Sequence, residues 1–183
     1  DIGISVYTTI FEGCGGKIKS KDDDFLVSEV LSKNTIQNIS ADGDYAVYKL
    51  KKHGIDTTHS LANVFKKYSL RLKSLGLKDA TAVTEQYVCS EKKLNSITKI
   101  SEDKYSLERI GFVKKPLSKK DMIGNQFKIK ITDTTKDISK FNEFDKILNF
   151  YGYQRFGSKR PVTHLIGKAL LQQDYTKAVN LLL

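Results

Sequence analysis

Apolar and polar positions alternate in several short stretches of the chain. Residues 45–50 read YAVYKL and residues 126–132 read QFKIKIT, the second switching at every position. A period of two predicts strands with one buried face. Residues 4–10, 25–31 (FLVSEVL), 83–90 (VTEQYVCS) and 105–114 are rich in β-branched and aromatic side chains and predict further strands. Elsewhere the period lengthens. Leu61, Val64, Phe65 and Tyr68 fall on one helical face over residues 59–68, Lys66 and Lys67 lie on the other, and Thr57 or Thr58 is placed to cap it. Ile138, Phe141, Phe144 or Asp145, and Leu148 mark a second amphipathic helix over 138–148, and the stretch from Thr163 predicts two short helices broken near Asp174. Strands in hairpin-like succession with helices set apart predict an α+β fold rather than a doubly wound parallel sheet. The chain closes on NLLL, an uncovered apolar stripe that reads as a cut end.

Composition narrows the class. With 183 residues, 39% hydrophobic, 28% charged and 2 Pro, the chain suits one globular domain, or one with an appendage, and neither a disordered nor a collagenous protein. No apolar run reaches the roughly 18 residues of a membrane span. The opening DIGISVYTTIFEGCGG has an acidic start and no basic region, unlike a signal peptide. Cys14 and Cys89 are too far apart for a CxxC clip and too few for a disulfide framework, so a reducing cytoplasm is the expected location. Cys89, inside a strand-like segment, is expected to be a small buried hydrophobe. His53, His59 and His164 stand alone, without the spacing of metal ligands, and neither a metal nor a cofactor is expected.

Charge changes the picture more. The net charge is +10 and the pI about 9.4, which suits a polyanionic partner. The surplus is local: residues 49–78 hold eight basic residues and one acid, and residues 146–173 hold five basic residues and no acid.

Three segments carry candidate chemistry. GLKDATAVTEQ, residues 76–86, sets Asp79 directly after Lys78 in a loop between two strand-like stretches, flanked by small residues that admit a close ligand; the Asp reads either as a turn residue or as a mounted carboxylate. NFYGYQRFG, residues 149–157, gathers four aromatics with Asn149, Gln154 and Arg155. Such a set either packs a turn into a core or stacks a nucleobase, bonds its edge and neutralises its phosphate. GGKIKSKDDDFLVSEV, residues 15–30, runs from lysines through three Asp into a strand: a solvated charged loop, or part of a site.

In this order and spacing the three segments resemble the tRNA pseudouridine synthase family called TruD. The motifs stand as Lys19 with Asp24-Phe25, as Gly76, Lys78, Asp79, Ala82, Thr84 and Gln86, and as Asn149 through Gly157. The resemblance implies a mixed, largely antiparallel sheet with helices on one face, forming a pseudouridine synthase-like catalytic domain that is incomplete here. The family's inserted module and C-terminal strands would follow Gly157. It also implies isomerisation of a uridine in tRNA, in the D-arm by default, after the base is flipped from its stack. Asp79 takes the position of the catalytic aspartate; Phe25, Asn149, Tyr151 and Lys19 take substrate-contacting positions. Tyr151 stands where bacterial members typically have Phe, which keeps the ring and adds a hydroxyl. The basic blocks then read as an RNA track, with Lys66, Lys67, Lys78 and Arg155 as phosphate contacts. A non-catalytic RNA-binding fragment of such an enzyme is the alternative.

Overall fold

The computed structural model describes residues 12–91, 97–139, 148, 152–157 and 159–183. The strand expected over 4–10 and most of the helix expected over 138–148 lie outside these residues. Two compact units are present, one spanning residues 15–135, the other residues 1–14 with 136–183.

The larger unit is built on a seven-stranded sheet. Its strands are β1 (Phe25–Leu31), β2 (Tyr45–Lys52), β3 (Leu72–Ser74), β4 (Val83–Ser90), β5 (Lys99–Ser101), β6 (Tyr105–Val113) and β7 (Met122–Ile129). They run in the order β5-β6-β2-β4-β1-β7, and β3 pairs with β4 beside β1. Every pairing is antiparallel except that of β1 with β4. One edge of β4 is shared: Val83–Glu85 face β1, whereas Val88–Ser90 face β3. The loop joining β3 to β4, residues 75–82, therefore emerges beside β1 and carries Asp79. The sheet is mixed and mostly antiparallel, the α+β class expected from the sequence.

Two strands, β1 and β4, match the expected bounds, because strand-forming residues there fill a central position and pack on both faces. At the sheet edge the match slips. The strand expected over 126–132 runs instead from Met122 to Ile129, because its extent is set by pairing along β1 from Leu31 to Phe25. Thr132 meets only an isolated bridge with Lys17.

Helix α2 (Thr57–Tyr68) follows a short helix α1 (Lys33–Gln37) and lies over β2. Its cap is Asp56, not Thr57 or Thr58: the Asp56 carboxylate accepts from His59 N at 2.9 Å, and that bond holds its pKa below the usual carboxylate range. Ser69, in the left-handed region at φ 53°, ends the helix. The core forms where Ala46, Tyr48 and Leu50, alternate residues of β2, meet Val64 of α2 together with Leu70, Val88 and Leu107. A second cluster joins Leu31, Val47, Cys89, Val113 and Leu117 to Leu75, which anchors the first residue of the β3–β4 loop. Cys89 is buried as expected, and burial pushes its thiol pKa up.

In the smaller unit, α3 (Thr163–Leu171) and α4 (Tyr175–Leu182) form the expected pair, with Asp174 capping the second by accepting from Lys177 N. No helix among the described residues is long and apolar enough to cross a membrane.

Leu50 is fully buried between α2 and the sheet. Leu50→Ala is expected to lower the unfolding free energy by about 3 kcal/mol, read from urea denaturation.

Candidate active site

Segment 17–25 enters the site against the edge of the sheet. Lys17 and Thr132 exchange backbone hydrogen bonds at 2.8 and 2.9 Å. Gly16 permits that approach: at φ +94°, a Cβ there would lie 2.6 Å from the Thr132 carbonyl oxygen. Two residues on, Lys19 takes a left-handed conformation, φ 57°, that non-glycine residues seldom adopt. The turn is closed by Asp24, buried, whose carboxylate accepts from Lys21 N at 3.0 Å. Asp24 thus shapes the chain between Lys19 and Phe25 and leaves its neighbour Phe25 to open β1.

This bend gathers three expected site residues. The Lys19 ammonium lies 4.3 Å from the centre of the Phe25 ring and 3.9 Å from Asp79 Oδ2. Phe127 of β7 meets the Phe25 ring edge-on at 6.1 Å. The Asp79 side chain is 79% exposed, so the pair contributes little to stability; its significance is that one cation addresses a carboxylate and an aromatic face together.

The carboxylate is exposed, whereas the loop behind it is tied down. Lys52, at the end of β2, is fully buried, and its ammonium donates to the carbonyls of Ile55 at 2.9 Å, Lys78 at 3.2 Å and Asp79 at 2.8 Å. Burial brings its pKa down to about 8, against the opposing pull of Asp56 and Asp79. Thr57, at the first turn of α2, accepts from Lys78 N at 2.9 Å and donates to Gln86 Oε1 at 2.8 Å. The Gln86 amide in turn donates to the Gly76 carbonyl at 3.1 Å. Thr84, which opposes Lys52 across the sheet, has a buried hydroxyl with no hydrogen-bond partner among the described residues.

Lys78, read from the sequence as a phosphate contact, is placed otherwise. Its ammonium sits 2.6 Å from Glu29 Oε1, with the lysine side chain 9% exposed and the glutamate side chain fully buried. The second Glu29 oxygen accepts from Tyr87 N at 2.8 Å. The Lys78 charge therefore neutralises a buried carboxylate inside the sheet and does not face solvent. Of the other basic residues, Lys66 and Lys67 line an open cleft of about 560 Å³ with Asn63, Lys104 and Glu102. Lys67 pairs with Glu102 at 2.5 Å, and this bond holds the glutamate pKa below its usual range. Arg155 is exposed in a 3-10 turn, Tyr153–Arg155, of the smaller unit. Asn149 and Tyr151 lie outside the described residues. The histidines take local roles: His53 contacts the Asp103 carbonyl, His59 pairs with Asp56, and His164 meets the Phe156 ring edge-on.

Lys52, Glu29 and Phe127 were not singled out in the sequence, although two of them leave a signal there. Glu29 is a lone charge in the apolar run FLVSEVL. Lys52 continues the even-numbered phase of Ala46, Tyr48 and Leu50, the phase that is buried.

Comparison with known proteins agrees with the arrangement of motifs. The model of the family tRNA pseudouridine synthase D (TruD) matches residues 1–183. The chain belongs to this family. Among curated relatives, the "Probable tRNA pseudouridine synthase D" of Methanosarcina barkeri is 35% identical over 98% of this chain and 44% of its own length. That of Sulfurisphaera tokodaii is 36% identical over 89% and 46%. A crystal structure from Methanosarcina mazei, assigned to tRNA pseudouridine synthase D, superposes with a TM-score of 0.76 at 29% identity and covers 96% of this chain and 43% of that one. The chain thus spans less than half the length of these relatives.

Lys78→Met is expected to cost about 3 kcal/mol of stability, because it leaves Glu29 charged and unpaired in the interior. Adding Glu29→Gln to it should recover part of that loss in the same urea titration.

Proposed function

We infer that this chain contributes the catalytic carboxylate of a tRNA pseudouridine synthase, with Asp79 acting on a uridine. The observation that carries this reading is the single Lys19 ammonium set against both the exposed Asp79 carboxylate and the Phe25 ring. In the reaction the uridine N1–C1′ bond breaks, uracil turns while held, a C5–C1′ bond forms, the C5 proton leaves to solvent and N1 takes up a proton. An ionised carboxylate serves this chemistry as a nucleophile toward the sugar or as a base. Lys19 keeps a compensating positive charge beside it.

The target uridine, in the D-arm of the tRNA, leaves its stack at a cost of a few kcal/mol. Phe25, with Tyr151, offsets that by stacking, at roughly 1–3 kcal/mol per base. Asn149 bonds the uracil edge. Lys66, Lys67 and Arg155 contact phosphates, while Lys78 does not, since its ammonium is held by Glu29.

Tritium release from tRNA carrying 5-tritiated uridine tests the reading in the full-length protein. Asp79→Asn is expected to abolish release while tRNA binding persists; release at the unsubstituted rate would refute the role of Asp79. Binding without release by the unsubstituted protein would favour a purely RNA-binding role. Alanine at Lys66 and Lys67 together should weaken tRNA binding and reduce the slope of log affinity against log salt by about 2. An unchanged slope would remove them from the RNA contact surface.

A further inference from the structure

Lys52 occupies a position where the fold has no evident need of a cation. It follows Ala46, Tyr48 and Leu50 on the α2-facing side of β2, all buried and none charged. Burying a lone ammonium costs several kcal/mol, and a side chain required only for its volume would be better served by leucine or methionine there. The compensation lies in its three acceptors, and their identity is specific. The Lys78 carbonyl belongs to the peptide unit that precedes the Asp79 Cα, and the Asp79 carbonyl to the unit that follows it. One ammonium therefore fixes both peptide planes on either side of that Cα, and with them the direction in which the Asp79 side chain leaves the backbone. The third acceptor, Ile55, lies in the segment between β2 and α2 and references the loop to the sheet and helix. Thr57 orients the next peptide back, through Lys78 N.

We propose that Lys52 is a positioning residue: by clamping the carbonyls of Ile55, Lys78 and Asp79, its ammonium aims the Asp79 carboxylate at the reacting sugar. This inference rests on the reading of Asp79 as the reacting group. Lys52 touches no solvent, so it acts through the loop alone. The charged groups around it are Asp56 ahead of α2 and Lys78 and Asp79 in the loop, and across the sheet it opposes Thr84 on β4 and Tyr105 on β6. Its ammonium has three N–H groups for three carbonyls. Once deprotonated it has two, and a lone pair then faces an oxygen, so the clamp loosens as pH rises through about 8.

The test compares unsubstituted protein, Lys52→Met and Asp79→Asn, each full-length, in steady-state tritium release between about pH 6.5 and pH 9.5. Lys52→Met is expected to lower kcat about a hundredfold, as a misaimed reacting group does, with KM for tRNA within about threefold. The fall in kcat near pH 8 expected of the unsubstituted protein should be absent from this variant. An unchanged kcat in Lys52→Met with Asp79→Asn inactive overturns the inference and leaves the role of Asp79 standing; an active Asp79→Asn overturns both. A matching rise in KM would make Lys52 a general structural support and also overturn it. Should circular dichroism show Lys52→Met unfolded, the unsubstituted profile decides: kcat flat across pH 8 overturns the clamp.

Discussion

Peptide carbonyls that converge on one buried point repel one another, and three of them do so beneath the β3–β4 loop. The cation between them turns that repulsion into an attachment. With it in place the loop has a fixed underside, and the Asp79 side chain can project into solvent without taking the backbone along. The Glu29–Lys78 pair ties the same loop a second time, the Lys78 ammonium to a carboxylate on β1 and the Lys78 carbonyl to Lys52 on β2. Thr57 and Gln86 complete the frame with neutral groups. Rigid support behind and an open face in front is the arrangement a reacting group needs to be aimed and still be reached by a large substrate.

Charge serves two ends in this unit, and the sequence does not separate them. The block of residues 49–78 reads as one basic stretch, but Lys52 and Lys78 are interior and compensate carbonyls and a carboxylate. Lys49 lies 3.3 Å from Glu85 and Lys67 2.5 Å from Glu102. A count of lysines along the chain measures attraction to a polyanion only after such pairs are set aside. The net +10 already subtracts those carboxylates, so the pairs change where the uncompensated charge lies and not how much of it there is.

Much of the fold was legible because its central elements are locally consistent. β1 and β4 carry strand-forming residues along their whole length. Leu61, Val64 and Tyr68 of the expected α2 stripe pack on the core, whereas Phe65 is exposed and Thr57 and Ser60 are buried in its place. The shorter elements β3, β5 and α1, of three, three and five residues, are too brief to show a period and exist because longer neighbours offer them a partner. The sequence offers Thr57 or Thr58 as the cap of α2 because hydroxyl and carboxylate caps look alike there; Thr57 donates instead to the buried Gln86, and the cap is Asp56. At the site, the resemblance to the family singles out Lys19, Phe25 and Asp79, which the fold brings together. Their supports were obscured because a buried charge looks, in a sequence, like an exposed one. The phase of Lys52 in its strand and the isolation of Glu29 in its apolar run are the traces that remain.

The bridge between Lys17 and Thr132 ties the lysine arm to the sheet by a contact distant in sequence. Its partners are 115 residues apart, whereas Lys52 reaches Asp79 across 27 residues and Lys78 reaches Glu29 across 49. Closing a longer loop costs more chain entropy, so the long-range tie is the one whose loss frees the most chain. The β3–β4 loop is anchored independently of the lysine arm, since its ties need only β1, β2, α2 and β4. Releasing the arm at Thr132 would therefore take away the cation and leave the supports of the carboxylate untouched.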